Sequence, residues 1–321
     1  MTAQQTPLGW AAARWSLGPR ALRRASTAAL LVSVLIVFTG GVVRVTGSGL
    51  GCPSWPSCTA SSLTTTPELG IHGLIEFGNR MFTGLIVLTV AAVIVAARLQ
   101  RPEDRAVTRL AWSQFWLVVA NAIAGGVTVL LALNPWVVAA HFVLAMALLA
   151  TTTLTWHRAR HPGAERAAVD AGTRSLAVAL VAVTLVLILV GTLVAGSGPH
   201  SGDSSDVPRM GLPWVAVTLV HGLLGALTLL LALALLARGR TPRPVRRRTG
   251  ALLLVVALQG TLGIVQAATG LPAGLVSVHL LGAALVWVGA LRVLLEAEPR
   301  LFAARPASPA GAAERVPGPA L

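Results

Sequence analysis

The stretch Ser175–Ala195 reads SLAVALVAVTLVLILVGTLVA, 21 residues without a charge, closed by Arg174 on one side and Gly196-Ser197-Gly198 on the other. As an α-helix rising about 1.5 Å per residue it is about 30 Å long, the thickness of a bilayer's hydrocarbon core. Seven more apolar stretches of that kind run from Ser26 to Val45, Ile71 to Ala97, Leu110 to Leu133, Trp136 to Trp156, Leu212 to Ala237, Ala251 to Thr269 and Ala273 to Leu295. Composition agrees: 55% of the 321 residues are hydrophobic and 11% charged, with mean hydropathy +0.76, whereas a soluble domain carries about 25% charged residues. The pattern predicts an all-α integral membrane protein with eight transmembrane helices and no separate soluble domain.

The formal charge of +14 and pI of 11.9 would point to nucleic acid in a soluble protein. Here every one of the 25 basic residues is Arg, and all but Arg44, Arg80 and Arg209 fall before the first span, at the C-terminal end from Arg292 onward, or between spans two and three, four and five, or six and seven. Short cytoplasmic loops carry the Lys/Arg excess, so the asymmetry predicts an N-in/C-in multi-pass protein of the cell membrane. It is a topology signal with affinity for anionic membrane lipids, and no nucleic-acid partner is expected. The first span is too long for a signal-peptide core and reads as a retained anchor. The two long loops, 46–70 and 196–211, then lie on the outer face.

Spans three and four lie over spans seven and eight at a constant offset of 138, which puts Asn121 on Gln259, Gly125 on Gly263, Thr128 on Gln266 and His141 on His279. Gly47-Ser48-Gly49 and Gly196-Ser197-Gly198 end spans one and five alike. These matches predict two four-helix-bundle repeats. An even number of spans per repeat makes them parallel, related by an axis along the membrane normal. The expected organisation is a tail over 1–25, a first repeat over 26–160, a linker over 161–174, a second repeat over 175–296 and a tail over 297–321. Gln114, Asn121, Thr128, Gln259 and Gln266 would line helix faces, with hydrogen-bond glue between helices as their plainest role.

His157, His161 and His200 lie in loops, but His72, His141, His221 and His279 sit in even-numbered spans, each within a few turns of the outer end. Ionisable groups inside the membrane are costly and functional by default. His221 and His279 lie about 10 Å below the starts of their helices at 1.5 Å per residue. Two neutral imidazoles without thiolate or carboxylate partners suit axial ligation of haem b better than zinc, which wants three or four ligands. In the first half, Asn79 stands at the depth of His221. His72, Glu76 and Asn79 are spaced four and three apart and share one helix face. Glu76 is therefore the best candidate general acid or base, with Arg44 and Arg80 beside it as partners for anionic groups. The plainer alternative is an i,i+4 ion pair between Glu76 and Arg80 that only stabilises the helix.

Cys52 and Cys58 lie in the first outer loop, on the oxidising side, where a disulfide is expected. It reads either as a structural staple or as a tight, exposed, redox-active bridge. Taken together, the run from Thr46 to Cys58, the run Ile75-Glu76-Phe77-Gly78-Asn79-Arg80 and the single histidines of spans four, six and eight resemble the haem A synthase family. The resemblance covers nearly all eight spans. It implies a membrane oxidoreductase that converts the C8 methyl of haem O to the formyl of haem A, for assembly of haem-copper respiratory oxidases. It further implies haem b on His221 and His279, substrate haem beside His141, a catalytic Glu76 and a redox role for the cysteines. Expected partners are haem O, a haem O synthase as donor, and a redox protein or quinone as electron acceptor.

Two departures stand out. Many members of that family have His where this chain has Asn79, which leaves His72 and Asn79 as alternative contacts of the substrate haem. The loop between spans five and six has no second cysteine pair. From another functional class, a bis-His haem b electron carrier that leaves haem unaltered would explain the paired histidines but needs neither Glu76 nor the cysteines. A transporter would explain the repeat, yet the spans lack helices broken at midplane.

Overall fold

A computed structural model describes residues 6–161, 169–200, 202–203 and 206–298, and the account below concerns these. They form nine α-helices, a single 3₁₀ turn at Pro67–Leu69 and no strands: α1 Pro7–Arg14, α2 Pro19–Val45, α3 Gly70–Arg98, α4 Arg105–Leu130, α5 Pro135–Arg160, α6 Ala171–Ser197, α7 Trp214–Ala237, α8 Arg243–Ala268 and α9 Ala273–Ala297. Helices α2 to α9 are each long and apolar enough to cross a membrane, so the protein is an all-helical, multi-pass membrane protein. The predicted linker is described only outside 162–168. Of the predicted C-terminal tail, 299–321 lie outside the described residues.

The helix ends follow local chemistry. Pro19 and Pro135 occupy first turns, where a missing N–H is harmless. Asp104 accepts from the backbone N–H of Ala106 and Val107 and so caps α4, while Asp170 caps α6 through the N–H of Thr173. The third span stops at Leu130, three residues before its expected end, because Ala132 and Leu133 adopt positive φ and the Leu133 N–H returns to the carbonyl of Thr128. The turn after α8 is built identically, with Gly270 and Leu271 at positive φ and the Leu271 N–H on the carbonyl of Gln266. Its three positions, Gln266, Gly270 and Leu271, follow Thr128, Ala132 and Leu133 of the first turn at the same offset of 138. The sixth span begins at Trp214, since Pro213 precedes it. The N-terminal tail, expected to be plain, contains α1, whose Thr6 side chain accepts from Gly9 N–H.

Helix α2 packs on α3 and α5, and α4 on α3 and α5; α6 packs on α7 and α9, and α8 on α7 and α9. Two rings of four result, joined where α2 and α5 meet α9 and α5 meets α6. One apolar cluster fills the arginine-rich half of the first ring around Val90, Val93, Ala111 and Leu148, and another the same half of the second around Leu180, Leu235, Leu252 and Val293. A third, with Leu149, Ile188 and Trp287, seals the joint, where the Trp287 indole N–H donates to the carbonyl of Met146 at 3.0 Å. Since lipid removes the hydrophobic drive between helices, close packing does this work, and Gly41 lets Leu280 lie directly on α2. No such cluster occupies the opposite halves of the rings among the described residues, and there the histidines lie. Above them the long loops meet: Gly49 N–H donates to the carbonyl of Gly202, and Ser48 and Asp203 form an isolated bridge.

Candidate functional site

In the second ring, His221 of α7 and His279 of α9 face each other across the bundle, with ring centroids 6.3 Å apart and planes at 60°. Glycine on the flanking helices makes room for both. A Cβ on Gly191 of α6 would lie 3.0 Å from Cε1 of His221, and one on Gly263 of α8 would lie 3.3 Å from Cε1 of His279. His221 Nδ1 lies 3.2 Å from the carbonyl of Leu187. A carbonyl can only accept, so Nδ1 carries the proton and Nε2 keeps its lone pair, the usual outer-shell arrangement of a metal-ligating His. Gln259 donates to the backbone carbonyl of His279 at 2.6 Å, which fixes α8 on α9. His279 Nδ1 and Gln266 Oε1 are buried without hydrogen-bond partners.

This donor set fits a haem iron. His221 and His279, two neutral imidazoles 6.3 Å apart between ring centres, are the residues that would hold it. Among the described residues no group of three or more His, Cys, Asp or Glu could hold a metal ion. A cluster of protein ligands is therefore not the alternative here.

The first ring repeats half of this arrangement. His141 of α5 is faced by Gly125 of α4, whose Cβ would lie 3.3 Å from its Cε1, and its Nδ1 is buried without a partner. On α3 stands Asn79, whose Oδ1 accepts from the Thr39 hydroxyl of α2 at 2.7 Å. His72, the other expected contact, lies at the exposed start of α3 with Nδ1 3.0 Å from the Ser48 hydroxyl. Of the polar residues read as glue, Gln114 bridges α4 to Thr155 of α5, whereas Asn121 and Thr128 bond carbonyls of their own helix.

Glu76 is buried, 5% exposed. Its Oε1 accepts from Arg80 at 2.6 Å and its Oε2 from the backbone N–H of Cys52 at 2.6 Å. The i,i+4 ion pair is thus formed, and it ties a helix to a loop. Arg80 also donates to the carbonyls of Cys52, Ser54 and Ser57. Read from sequence either as a partner for anionic groups or as the ion-pair partner of Glu76, it here bonds both Glu76 and the loop, because the chain after Cys52 folds back over α3. Arg44 donates to the carbonyl of Ala195 at 2.7 Å and so links the two rings. Cys52 and Cys58 are joined, as expected, but both are 0% exposed. Of the two readings the sequence leaves open, a structural staple or an exposed bridge, the exposed one does not describe a cystine enclosed in this way. Trp55 of that loop lies flat on Gly126 of α4, where a Cβ would come within 2.6 Å of the indole.

Sequence reading missed the ring-facing role of Gly191, the Thr39 bond to Asn79 and the seat of Trp55. Glycines within these apolar helices, Gly191 and the pair Gly125-Gly126, were the available signal.

Fold and site together define a multi-pass helical membrane protein with paired, glycine-backed imidazoles of the kind that hold haem. A family model described as COX15-CtaA, cytochrome oxidase assembly protein, matches residues 23–291. The chain belongs to this family, the haem A synthase family that its motifs resemble. A haem A synthase from Symbiobacterium thermophilum is 31% identical over 250 residues, covering 72% of this chain and 80% of its own length. One from Geobacillus thermodenitrificans is 33% identical over 114 residues, 35% of this chain and 34% of that one. One from Lysinibacillus sphaericus is 30% identical over 138 residues, 42% and 44% respectively.

Proposed function

We propose that the chain is a haem A synthase that oxidises the C8 methyl of haem O to a formyl group in its first ring and holds haem b in its second, supplying haem A for haem-copper respiratory oxidases. One observation carries this reading. The rings share a glycine-backed histidine, but only the first places a buried carboxylate, Glu76, on the helix that faces it.

His221 and His279 would hold the haem b, which supplies one-electron transfer between the first ring and an external acceptor, a quinone or redox protein. His141 would hold the substrate haem from α5. Asn79 offers an amide on the opposite side, and His72 and Arg44 are the remaining contacts for its polar edge. Each oxidation takes its oxygen from water and releases two electrons and two protons, giving alcohol, then gem-diol, which loses water to the aldehyde. Glu76 is the group that receives those protons or orients the water. Its two bonded oxygens retain lone pairs for this, and Arg80 with the Cys52 N–H holds them in place. Arg80 is a positioning residue. The enclosed cystine would hold that clamp and, when reduced, release it.

The matched turns after α4 and α8 and the matched Gly125/His141 and Gly263/His279 contacts support two parallel repeats. Arginine placement supports N-in/C-in insertion in the cell membrane with the cysteine loop outside. A haem O synthase is the natural donor of so insoluble a substrate. An electron carrier would use the histidine pair but has no use for Glu76 or its clamp. Expression in a host that makes haem O but no haem A, followed by chromatography of extracted haems, tests the proposal. Haem A is expected, and recovery of haem O and haem b alone would refute it.

A further inference from the structure

At the arginine-rich end, between α2 and α5, an open hollow of about 300 Å³ is lined by Arg20, Arg23, Arg24, Thr27 and Arg160. Four arginines line it, and none of them forms an ion pair among the described residues, although other arginines at this end do, with Glu103, Asp104, Asp170, Glu296 and Glu298. The hollow is held in shape. Arg160 donates to the Thr27 hydroxyl at 2.6 Å, and Thr27 donates to the carbonyl of Arg23 at 2.5 Å. Behind it, the Trp156 ring lies 4.3 Å from the Arg160 guanidinium and 5.0 Å from that of Arg292 on α9, whose Nε is buried without a hydrogen-bond partner. Cations gathered this closely repel one another unless an anion sits among them.

The helix carrying most of them shows which anion. Arg20, Arg24, Thr27, Leu31 and Leu35 follow at intervals of four, three, four and four and so form one stripe of α2. Leu31 and Leu35 are 64% and 39% exposed. The stripe runs from cations at the end of a spanning helix into an uncovered apolar surface, the order of chemistry in a lipid from headgroup to acyl chain. Basic pockets between transmembrane helices hold anionic headgroups in this way. We propose that the hollow binds the phosphodiester headgroup of an anionic phospholipid, with an acyl chain along Leu31 and Leu35. Because α2 and α5 both pack on α9, a lipid seated there would brace the joint between the rings.

Native mass spectrometry of the purified full-length chain in neutral detergent tests this, with phosphatidylglycerol, phosphatidylcholine of the same acyl chains, and inorganic phosphate as probes. Arg20→Gln/Arg24→Gln removes two exposed cations whose side chains form no hydrogen bond or ion pair among the described residues, Arg23→Gln/Arg160→Gln removes the inner two, and Arg246→Gln/Arg247→Gln makes the same charge change elsewhere at this end. Wild type and the Arg246/Arg247 variant should retain one phosphatidylglycerol. Each hollow variant should bind it about 25-fold more weakly, at roughly fivefold per arginine. Equal retention in the hollow variants, an equal loss in the Arg246/Arg247 variant, equal retention of phosphatidylcholine, or full displacement by inorganic phosphate would each overturn the proposal, the last in favour of a soluble anion.

Discussion

The two rings of helices resemble each other in their turns and in a glycine that faces a histidine, but differ on the helix across the bundle. Helix α7 presents His221, 6.3 Å from His279 between ring centres. Helix α3 presents Asn79, held by Thr39, and one turn earlier the buried Glu76, held by Arg80 and the cysteine loop. Two imidazoles make a closed pair that suits a permanently bound group. One imidazole, an amide and a carboxylate make an open site that suits a group entering, reacting and leaving. Loss of a ligand and gain of an acid-base group thus occur together on one helix.

The largest effect expected from this contrast is on pigment. His221→Ala or His279→Ala should abolish the low-spin haem absorbance of the purified protein, whereas His141→Ala should leave it intact, as read by difference spectroscopy. Asn79→His would make the rings alike. It should raise the haem retained by the purified protein from one toward two per chain.

Arg80→Gln removes the cation from a buried carboxylate and three hydrogen bonds from the loop. It should lower stability by about 3 kcal/mol and speed reduction of the Cys52–Cys58 bridge by dithiothreitol, while the absorbance of the second ring is unchanged. Gly126→Ala drives a methyl group into the Trp55 indole and should cost about 1–2 kcal/mol. Trp55→Ala in the same chain should cancel most of that cost in a double-mutant cycle, as measured by thermal unfolding.

The smallest effect is one the rings share. Burial raises the Asp104 carboxyl, but Arg158 and the N–H groups of Ala106 and Val107 outweigh it and leave the group below the ordinary carboxylate range. The Thr173 hydroxyl and Arg238 hold Asp170 lower still. Carboxylates depressed in the folded state stabilise it above their unfolded values, near pH 4, and lose that contribution only as pH falls through the folded ones. Stability should be flat from pH 7 to 5 and decline below about pH 4, with a smaller decline in Asp104→Asn and Asp170→Asn.

Eight spans were legible because an uncharged run of about 20 residues has few other uses. The intramembrane histidines and Glu76 stood out for the same reason. Helix α1 was not legible, since its eight residues are too few to repeat a helical pattern. Nor was the direction of Arg80: helical spacing gives the face a side chain shares, but the return of the loop from Cys52 to Ser57 over α3 depends on Trp55 finding Gly126, some 70 residues away in sequence. The same long-range closure encloses a cystine whose burial local reading leaves open. Gly125 and Gly263 showed in the sequence as a repeat match and Gly191 only as a gap in an apolar run, and the meaning of all three needed the imidazole rings packed on them.

The central claim is that chemistry belongs to the first ring and permanent haem binding to the second. Chromatography of haems extracted from purified Glu76→Gln, expressed where haem O is made, tests it most directly. The account predicts one haem b per chain with bound haem O and at least 100-fold less haem A than wild type. Haem A at the wild-type level, or loss of haem b together with haem A, would contradict it.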